Sequence, residues 1–401
     1  MELIVPALVS ELNRHLEGIR DDPVVGLDSW SGCQGFKVPH GMNGALLAAI
    51  RYRLRSDRPV PPKLLHALEV CGEDARQAAG VRPERTGTVG CSPAATAAWL
   101  HADQADAAQP RSVRYLERVS ENYIGPMPVA TPITEFERAW VLALLAEAGM
   151  EAQVPSDFLQ MMSAAVGKEG VAGGAGLPPD ADTTGATLYT LARYNIRLPV
   201  DSLAGYAGPS CFCTYPGERT ASPTTNAHVL EALAVQGPTT DRTGWAGRAR
   251  NRVATWLREQ QSPEGFWTDK WHASPYYATA CCALALDRCD SQASDSAVKS
   301  AIDWVINTQR ADGSWGRWHG TVEETAHAVR ILLGTRSQTA GIAAMAAALR
   351  GCVFLKDTQD LTDHPPLWHD KDLYLPLAIV QASRLAALSL MGSRAYGTDQ
   401  A

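Results

Sequence analysis

The chain is 401 residues long, with 45 % apolar residues, a formal net charge of -7 and a pI near 5.8. Such a chain builds a sizeable core without disulfide staples, and its acidity argues against general affinity for nucleic acid or an anionic membrane. The nine cysteines, an odd number with no Cys-x-x-Cys pair, fit reduced thiols in the cytoplasm better than a disulfide framework or a zinc site.

Residues 1–20 predict a helix, with Leu8, Leu12, His15, Leu16 and Ile19 at helical spacing and Gly18 at its end. The opening residues have no basic region, so no signal peptide is expected, and no stretch reaches the roughly 18 apolar residues of a membrane span. Residues 21–62 are weakly periodic apart from a helix over 44–54, whose Arg51, Arg53 and Arg55 read as a solvated basic face. A helical pattern resumes at 63–69, and Gly87-Thr88-Val89-Gly90 forms a turn. Ser92 and Pro93 then open a helix as N-cap and first helical residue. Another helix covers roughly 134–149, with Glu135 and Glu137 in its first turn, where the helix dipole favours carboxylates.

Residues 167–178 are rich in glycine and proline and predict a loop. The loop runs into Pro179-Asp180-Ala181-Asp182-Thr183-Thr184, two carboxylates two residues apart at the start of a helix. Helical segments then alternate with Gly/Pro turns to the end, with no useful strand alternation, so the chain reads as all-α. The pattern Q-x-x-x-G-x-W occurs at 261–267 and again at 309–315, a period of 48 residues. Trp256 and Trp304 mark the helix end before each copy. That period fits one helical hairpin per unit, and such hairpins close into an α/α barrel.

The carboxylate pair carries the chemistry. Protonating an alkene produces a tertiary carbocation and needs a strong, aimed acid. A lone exposed aspartate is ionised near pH 7, whereas burial and a second carboxylate keep one proton on a pair. The two groups then titrate together. Asp182 reads as donor and Asp180 as its partner, with Thr183 and Thr184 placed to hydrogen-bond the carboxyl. The competing reading of the same residues is a plain helix cap.

Trp267, Trp271, Tyr276, Tyr277, Trp315, Trp318, Trp368 and Tyr374 gather near predicted helix starts in the last third of the chain. Aromatic faces stabilise cations without offering a nucleophile to trap them; each of these residues taken singly also reads as core packing. The histidines His66, His228, His272, His319 and His369 are scattered and read as structural. Arg219, Lys270 and Lys371 are candidates for holding an anionic group such as a diphosphate.

Six blocks resemble those of class II terpene cyclases, above all the bacterial labdane-type diterpene and drimane-type sesquiterpene diphosphate synthases. Asp180-Ala181-Asp182-Thr183-Thr184 resembles the acid motif D-x-D-D in its D-x-D-T-T variant. Residues 87–97 resemble "GSxxxSPAATA", and 131–140 resemble "YPxDxFERxW". Residues 213–220, 270–277 and 367–374 look like further family blocks, all in family order.

The resemblance implies a γ-like helical domain over 1–130 and a β-like α/α-barrel domain over 131–401, with the substrate between them. It implies that Asp182 protonates a linear prenyl diphosphate, either geranylgeranyl or farnesyl diphosphate. The chain then closes to a bicycle of the copalyl or drimenyl type, and the diphosphate is retained. Mg2+ is expected as cofactor, with ligands unknown here. Leu65-His66-Ala67 is similar to the "LHS" block whose histidine holds a deprotonating water in plant relatives, but Val129 stands where their partner asparagine would be. Met1 to Leu8 looks like an internal family stretch, so the γ-like domain is expected to be incomplete. A competing reading is a non-catalytic prenyl-binding helical barrel; the Asp/Cys/His zinc triad of prenyltransferase barrels has no matching motif.

Overall fold

The computed structural model describes residues 3–42, 44–56, 58–100, 109–122, 127, 130–131, 133–150, 154–218, 220–235, 244–289, 291–336, 341–358 and 364–397. The chain divides into two units, one of residues 1–133 with 174–178, the other of 134–173 with 179–401.

The first unit contains α1 (Ile4–Asp21), α2 (Gly44–Leu54), a short α3 (Pro62–Leu65), a 3-10 segment (Leu68–Ala75), α4 (Pro93–Trp99) and α5 (Pro110–Asn122). Its core gathers Leu47, Ile50, Leu54, Leu68, Val81, Val89 and Trp99. α1 turns Pro6 and Leu16 inward but leaves Leu8 and Leu12 about half exposed. Ser92 caps α4 as expected: its Oγ accepts the Ala95 N–H at 3.1 Å, and Pro93 occupies the first turn. On the basic face at the end of α2, Arg53 and Arg55 are exposed as expected, and Arg51 is half-buried. Arg51 donates to the Val70 carbonyl at 3.1 Å, and Arg55 pairs with Asp74 at 2.8 Å.

The second unit is built from α6 (Thr134–Glu147), α7 (Ser156–Ala164), α8 (Ala181–Arg193), α9 (Pro223–Ala234), α10 (Trp245–Glu259), α11 (Pro275–Cys289), α12 (Ser291–Asn307), α13 (Val322–Gly334), α14 (Gly341–Asp357) and α15 (Leu377–Gly397). A helix buried on every side belongs inside a larger assembly, and one with a single apolar stripe belongs at its edge. α8, α9, α11 and α13 are buried almost throughout. With α6 and α15 they form the inner wall: α6 packs on α8, α8 on α9, α9 on α11, α11 on α13, α13 on α15, and α15 back on α6. α10, α12 and α14 lie outside, each against the inner helix before it. The result is the α/α barrel expected from the 48-residue period.

The repeat works as a tie between neighbouring hairpins. The Gln261 side-chain amide donates to the carbonyls of Gly265 in its own turn and Ala297 on α12, both at 2.8 Å. Gln309 does the same to Gly313 at 3.0 Å and Ala347 on α14 at 2.8 Å. The indole N–H of Trp267 reaches the Leu257 carbonyl at 2.8 Å, and that of Trp315 reaches Val305 at 2.7 Å. Each tryptophan thereby closes the turn onto the helix end before it.

Two antiparallel ribbons interrupt the helical pattern, β1 (Val171–Ala172) with β2 (Pro179–Asp180), and β3 (Trp368–His369) with β4 (Leu373–Tyr374). At two residues per strand they show no alternation to read. They leave the all-α class intact, but both carry site residues.

Candidate active site

The ribbon of β1 and β2 pairs Val171 with Asp180 and sets the latter extended, at φ -140 and ψ 159, as the N-cap of α8. Asp180 Oδ1 accepts the Thr183 N–H at 2.7 Å, and Oδ2 accepts the Thr183 hydroxyl at 2.9 Å. Thr184 does not touch a carboxyl. Its hydroxyl donates to the Asp180 carbonyl at 2.5 Å and receives the Val171 N–H at 2.8 Å, pinning ribbon to helix. The cap and the carboxylate pair are therefore one feature. Burial first, and the Asp182 carboxylate second, push the Asp180 carboxyl up to about 7, against the bonds from Thr183 that pull it down.

Asp182, two residues further along, faces α9. Its Oδ1 lies 2.7 Å from Nδ1 of His228. Gly185 makes this approach possible: a Cβ there would stand 3.0 Å from backbone atoms of His228 and Val229. Burial would lower the His228 imidazole. The Asp182 carboxylate and its hydrogen bond, with a further contribution from Cys281, outweigh burial and hold it well above the ordinary value. An imidazolium donating to Oδ1 draws electron density from the carboxyl and leaves Oδ2 as the oxygen His228 does not engage.

Aromatic side chains continue from this pair. The edge of Trp140 meets the His228 ring, centroids 4.8 Å apart, and its indole N–H donates to the Tyr277 hydroxyl at 2.8 Å. Tyr277 lies 4.6 Å from Trp368, and Phe136 packs on both Trp140 (4.4 Å) and Trp368 (5.4 Å). Tyr374 stands 6.5 Å from Trp368 across the second ribbon. Behind them Glu323 Oε1 receives the Trp368 indole N–H at 2.7 Å and lies 3.2 Å from His272 Nε2. Burial would raise Glu323, but the hydrogen bond with His272, and the His327 ring 3.9 Å away, hold it well below the carboxylate range. Five of the six inner helices, α15 excepted, bring their N-terminal half to this region, with Trp140, Asp182, His228, Tyr277 and Glu323.

Of the aromatic residues singled out in the sequence, Tyr277, Trp368 and Tyr374 join this group. Trp271 sits apart, with its indole N–H 3.4 Å from Thr214 Oγ1 and its ring 6.5 Å from Tyr215. Burial, then Asp180, Asp370 and Asp182, raise Tyr215 well above its ordinary value, which ties this second cluster to the acid pair. Lys270 is engaged rather than free: it pairs with Glu218 at 2.7 Å, donates to the Thr220 carbonyl at 2.6 Å and lies over the Trp271 ring. Tyr276, Trp315 and Trp318 are not brought to the acid pair. Tyr276 turns outward onto Trp304 (4.6 Å), because neighbours on a helix point apart; Trp315 is wholly buried in the repeat; Trp318 is 57 % exposed beneath Arg317. His66 belongs to the first unit, with Nδ1 2.6 Å from the Gly90 carbonyl. Arg219 and Val129 lie outside the described residues.

From the sequence His228 reads as structural, and Trp140 and Phe136 only as part of a block. The available signal was spacing. His228 follows Asp182 by 46 residues, close to the 48-residue hairpin period, which puts both at like ends of successive inner helices. Among the described residues no group of three or more His, Cys, Asp or Glu side chains is placed to hold a metal ion. No step is assigned to a metal ion. Nor is any helix among them long and apolar enough to cross a membrane.

Residues 219–371 match the family model of the squalene-hopene cyclase C-terminal domain. The chain is 39 % identical over 398 residues to an ent-copalyl diphosphate synthase of Streptomyces sp. (strain KO-3988), covering 97 % of this chain and 74 % of that protein. It is 38 % identical to a copalyl diphosphate synthase of Streptomyces cyslabdanicus, over 98 % of this chain and 74 % of the relative. Among solved structures, ent-copalyl diphosphate synthase from Streptomyces platensis matches with a TM-score of 0.90 at 42 % identity, covering 98 % of this chain and 76 % of that one.

Proposed function

The chain belongs to the class II terpene cyclases, and on that premise we propose that it closes geranylgeranyl diphosphate to a bicyclic copalyl-type diphosphate, with Asp182 as proton donor. The observation that carries the reading is the Asp182–His228 pair, set at the start of α8 beside a group of aromatic rings.

In this reading the proton leaves Asp182 Oδ2 for the distal alkene of the substrate, whose π pair forms the new C–H bond. The tertiary cation is then attacked in turn by two internal alkenes, forming two C–C bonds. Loss of a proton from the bicyclic cation restores an alkene, so product and substrate have the same formula. The C–O bond to the diphosphate is not broken. Asp180, buried and bonded to Thr183, fixes the start of α8, and His228 on Oδ1 fixes the orientation of the Asp182 carboxyl. Trp140, Tyr277 and Trp368 offer π faces to the migrating charge and no nucleophile to capture it. Magnesium enters only as the counter-ion of the diphosphate. We place the protein in the cytoplasm, a reading supported by its nine cysteines, none of which is in a disulfide.

The test is incubation of the purified chain with geranylgeranyl diphosphate and Mg2+, dephosphorylation, and gas chromatography–mass spectrometry. A bicyclic diterpene alcohol is expected. Turnover of farnesyl diphosphate alone would replace the twenty-carbon substrate by the fifteen-carbon one. No cyclised product from either would overturn the reading.

A further inference from the structure

The second unit holds a group of buried charges that the proposed chemistry does not use. Glu147 at the end of α6 pairs with Arg288 on α11 at 2.6 Å and with Arg330 on α13 at 2.9 Å. Glu231 on α9 shares Arg288, at 2.8 Å, and the Tyr189 hydroxyl lies 3.2 Å from the same guanidinium. Two carboxylates thus face two guanidiniums. When Glu231 is ionised the group is neutral; when it is protonated one positive charge is left over.

This group and the acid pair share a boundary. His228 and Glu231 are three residues apart on α9, which places them on one face of the helix. Both line a cavity of about 40 Å³, together with Tyr277, Cys281, Glu147 and Arg330. That is room for a few waters at most, so charges on its walls interact with little screening.

Resting on the cyclase reading above, we infer that Glu231 is a positioning residue that acts through His228: its carboxylate keeps the imidazolium charged on the alkaline side of neutrality and so keeps the Asp182 acid competent there. The other groups facing His228 come from every element packed against it. Burial above all pushes the phenols of Tyr189 (α8) and Tyr277 (α11) well above their ordinary value. Burial, with Arg330 beside it, takes His327 (α13) down to about 4, so it stays neutral. Glu147 (α6), with its two arginines overcoming burial, is held at about 2 and stays ionised. Arg288 (α11) and Arg330 (α13) stay charged. Cys281 (α11) and Asp182 (α8) complete the set around the ring. Burial and Glu147 push Glu231 itself up to about 7, so its charge appears as the pH passes neutrality.

The experiment is a pH profile of kcat and KM with geranylgeranyl diphosphate for wild type, Glu231→Gln and Glu231→Asp, paired with 15N titration of the His228 ring assigned with a His228→Asn variant. Below about pH 6 wild type and Glu231→Gln should agree within about twofold. Above neutrality the alkaline limb of kcat and the His228 midpoint should both retreat by about one pH unit in Glu231→Gln, with KM within about twofold, and Glu231→Asp should restore them. A lowered kcat with an unmoved limb and an unmoved His228 midpoint, which is what a merely structural role would give, overturns the proposal. Should Glu231→Gln fail to fold, the wild type alone decides. Its His228 15N shifts must show a step at the midpoint of the Glu231 carboxyl carbon, and the absence of that step overturns the proposal. The resonance readout does not depend on turnover, so a wild type that forms no product sinks the cyclase reading and not this one.

Discussion

Asp182 and His228 are 46 positions apart in the chain, and Oδ1 of one lies 2.7 Å from Nδ1 of the other. Asp182→Asn keeps the shape of the donor and removes its acidic proton. Formation of cyclised product should fall by about a thousandfold, while the helical circular dichroism stays that of wild type. His228→Gln leaves the acid in place without an imidazolium on Oδ1, and the expected loss is smaller, about ten- to hundredfold. Product assays on the two variants rank them. An Asp182→Asn enzyme that cyclises at the wild-type rate would remove Asp182 from the chemistry.

The barrel was legible because its signals are local and periodic. Ser92-Pro93 and the Q-x-x-x-G-x-W repeat each encode a cap or a turn within a few residues: Ser92 caps its helix as expected, and Gln261 and Gln309 each bond a carbonyl four residues on. The carboxylate pair was legible for the same reason. His228 and Trp140 were not, because their roles come from which helices touch, and that depends on features such as Gly185 that say nothing until α8 and α9 are packed. Tyr276 and Tyr277 show the remaining ambiguity. Their letters are the same and adjacent, and only the orientation of α11 sends one to Trp304 and the other to Trp368.

Asp180 predicts a pH dependence of stability. Its folded value of about 7 lies above the roughly 3.9 of an unfolded aspartate. Between those limits the unfolded chain has released a proton that the folded chain keeps. Stability therefore falls as pH rises through this window, and the loss is complete above about pH 7. Asp180→Asn removes the titration. Denaturant unfolding at a series of pH values should show the variant gaining on wild type by at most about 1.4 kcal/mol per pH unit from pH 5 to 7, then running parallel. A constant offset across that range would mean that Asp180 is ionised in the folded protein.

Tyr277 and Trp368 separate fold from chemistry. Tyr277→Phe keeps the ring beside Trp368 but leaves the buried Trp140 N–H without its acceptor. The expected cost is about 1–3 kcal/mol of stability, with the product unchanged. Trp368→Leu removes a π face and the donor to Glu323. Its expected signature is chemical: lower turnover and a rise in monocyclic or hydroxylated by-products, read by mass spectrometry after dephosphorylation. A product spectrum unaltered in Trp368→Leu would place the cation elsewhere.

Trp315 is the sharpest case of an aromatic residue whose neighbours argue against a site role. Its ring lies against Gly351 on α14, where an added Cβ would stand 2.6 Å from Trp315 Cζ3 and 2.8 Å from Val329 Cγ2. Gly351→Ala therefore forces ring and helix apart, and overpacking of this kind costs about 1–3 kcal/mol. Trp315→Phe frees the Val305 carbonyl and leaves a void in the same place, so it should destabilise by a similar amount. Neither change reaches the Asp182–His228 pair, so Tm should drop while kcat below the transition and the product spectrum remain those of wild type. If Trp315→Phe instead alters the product at unchanged Tm, the ring faces the substrate and the repeat is part of the cavity wall.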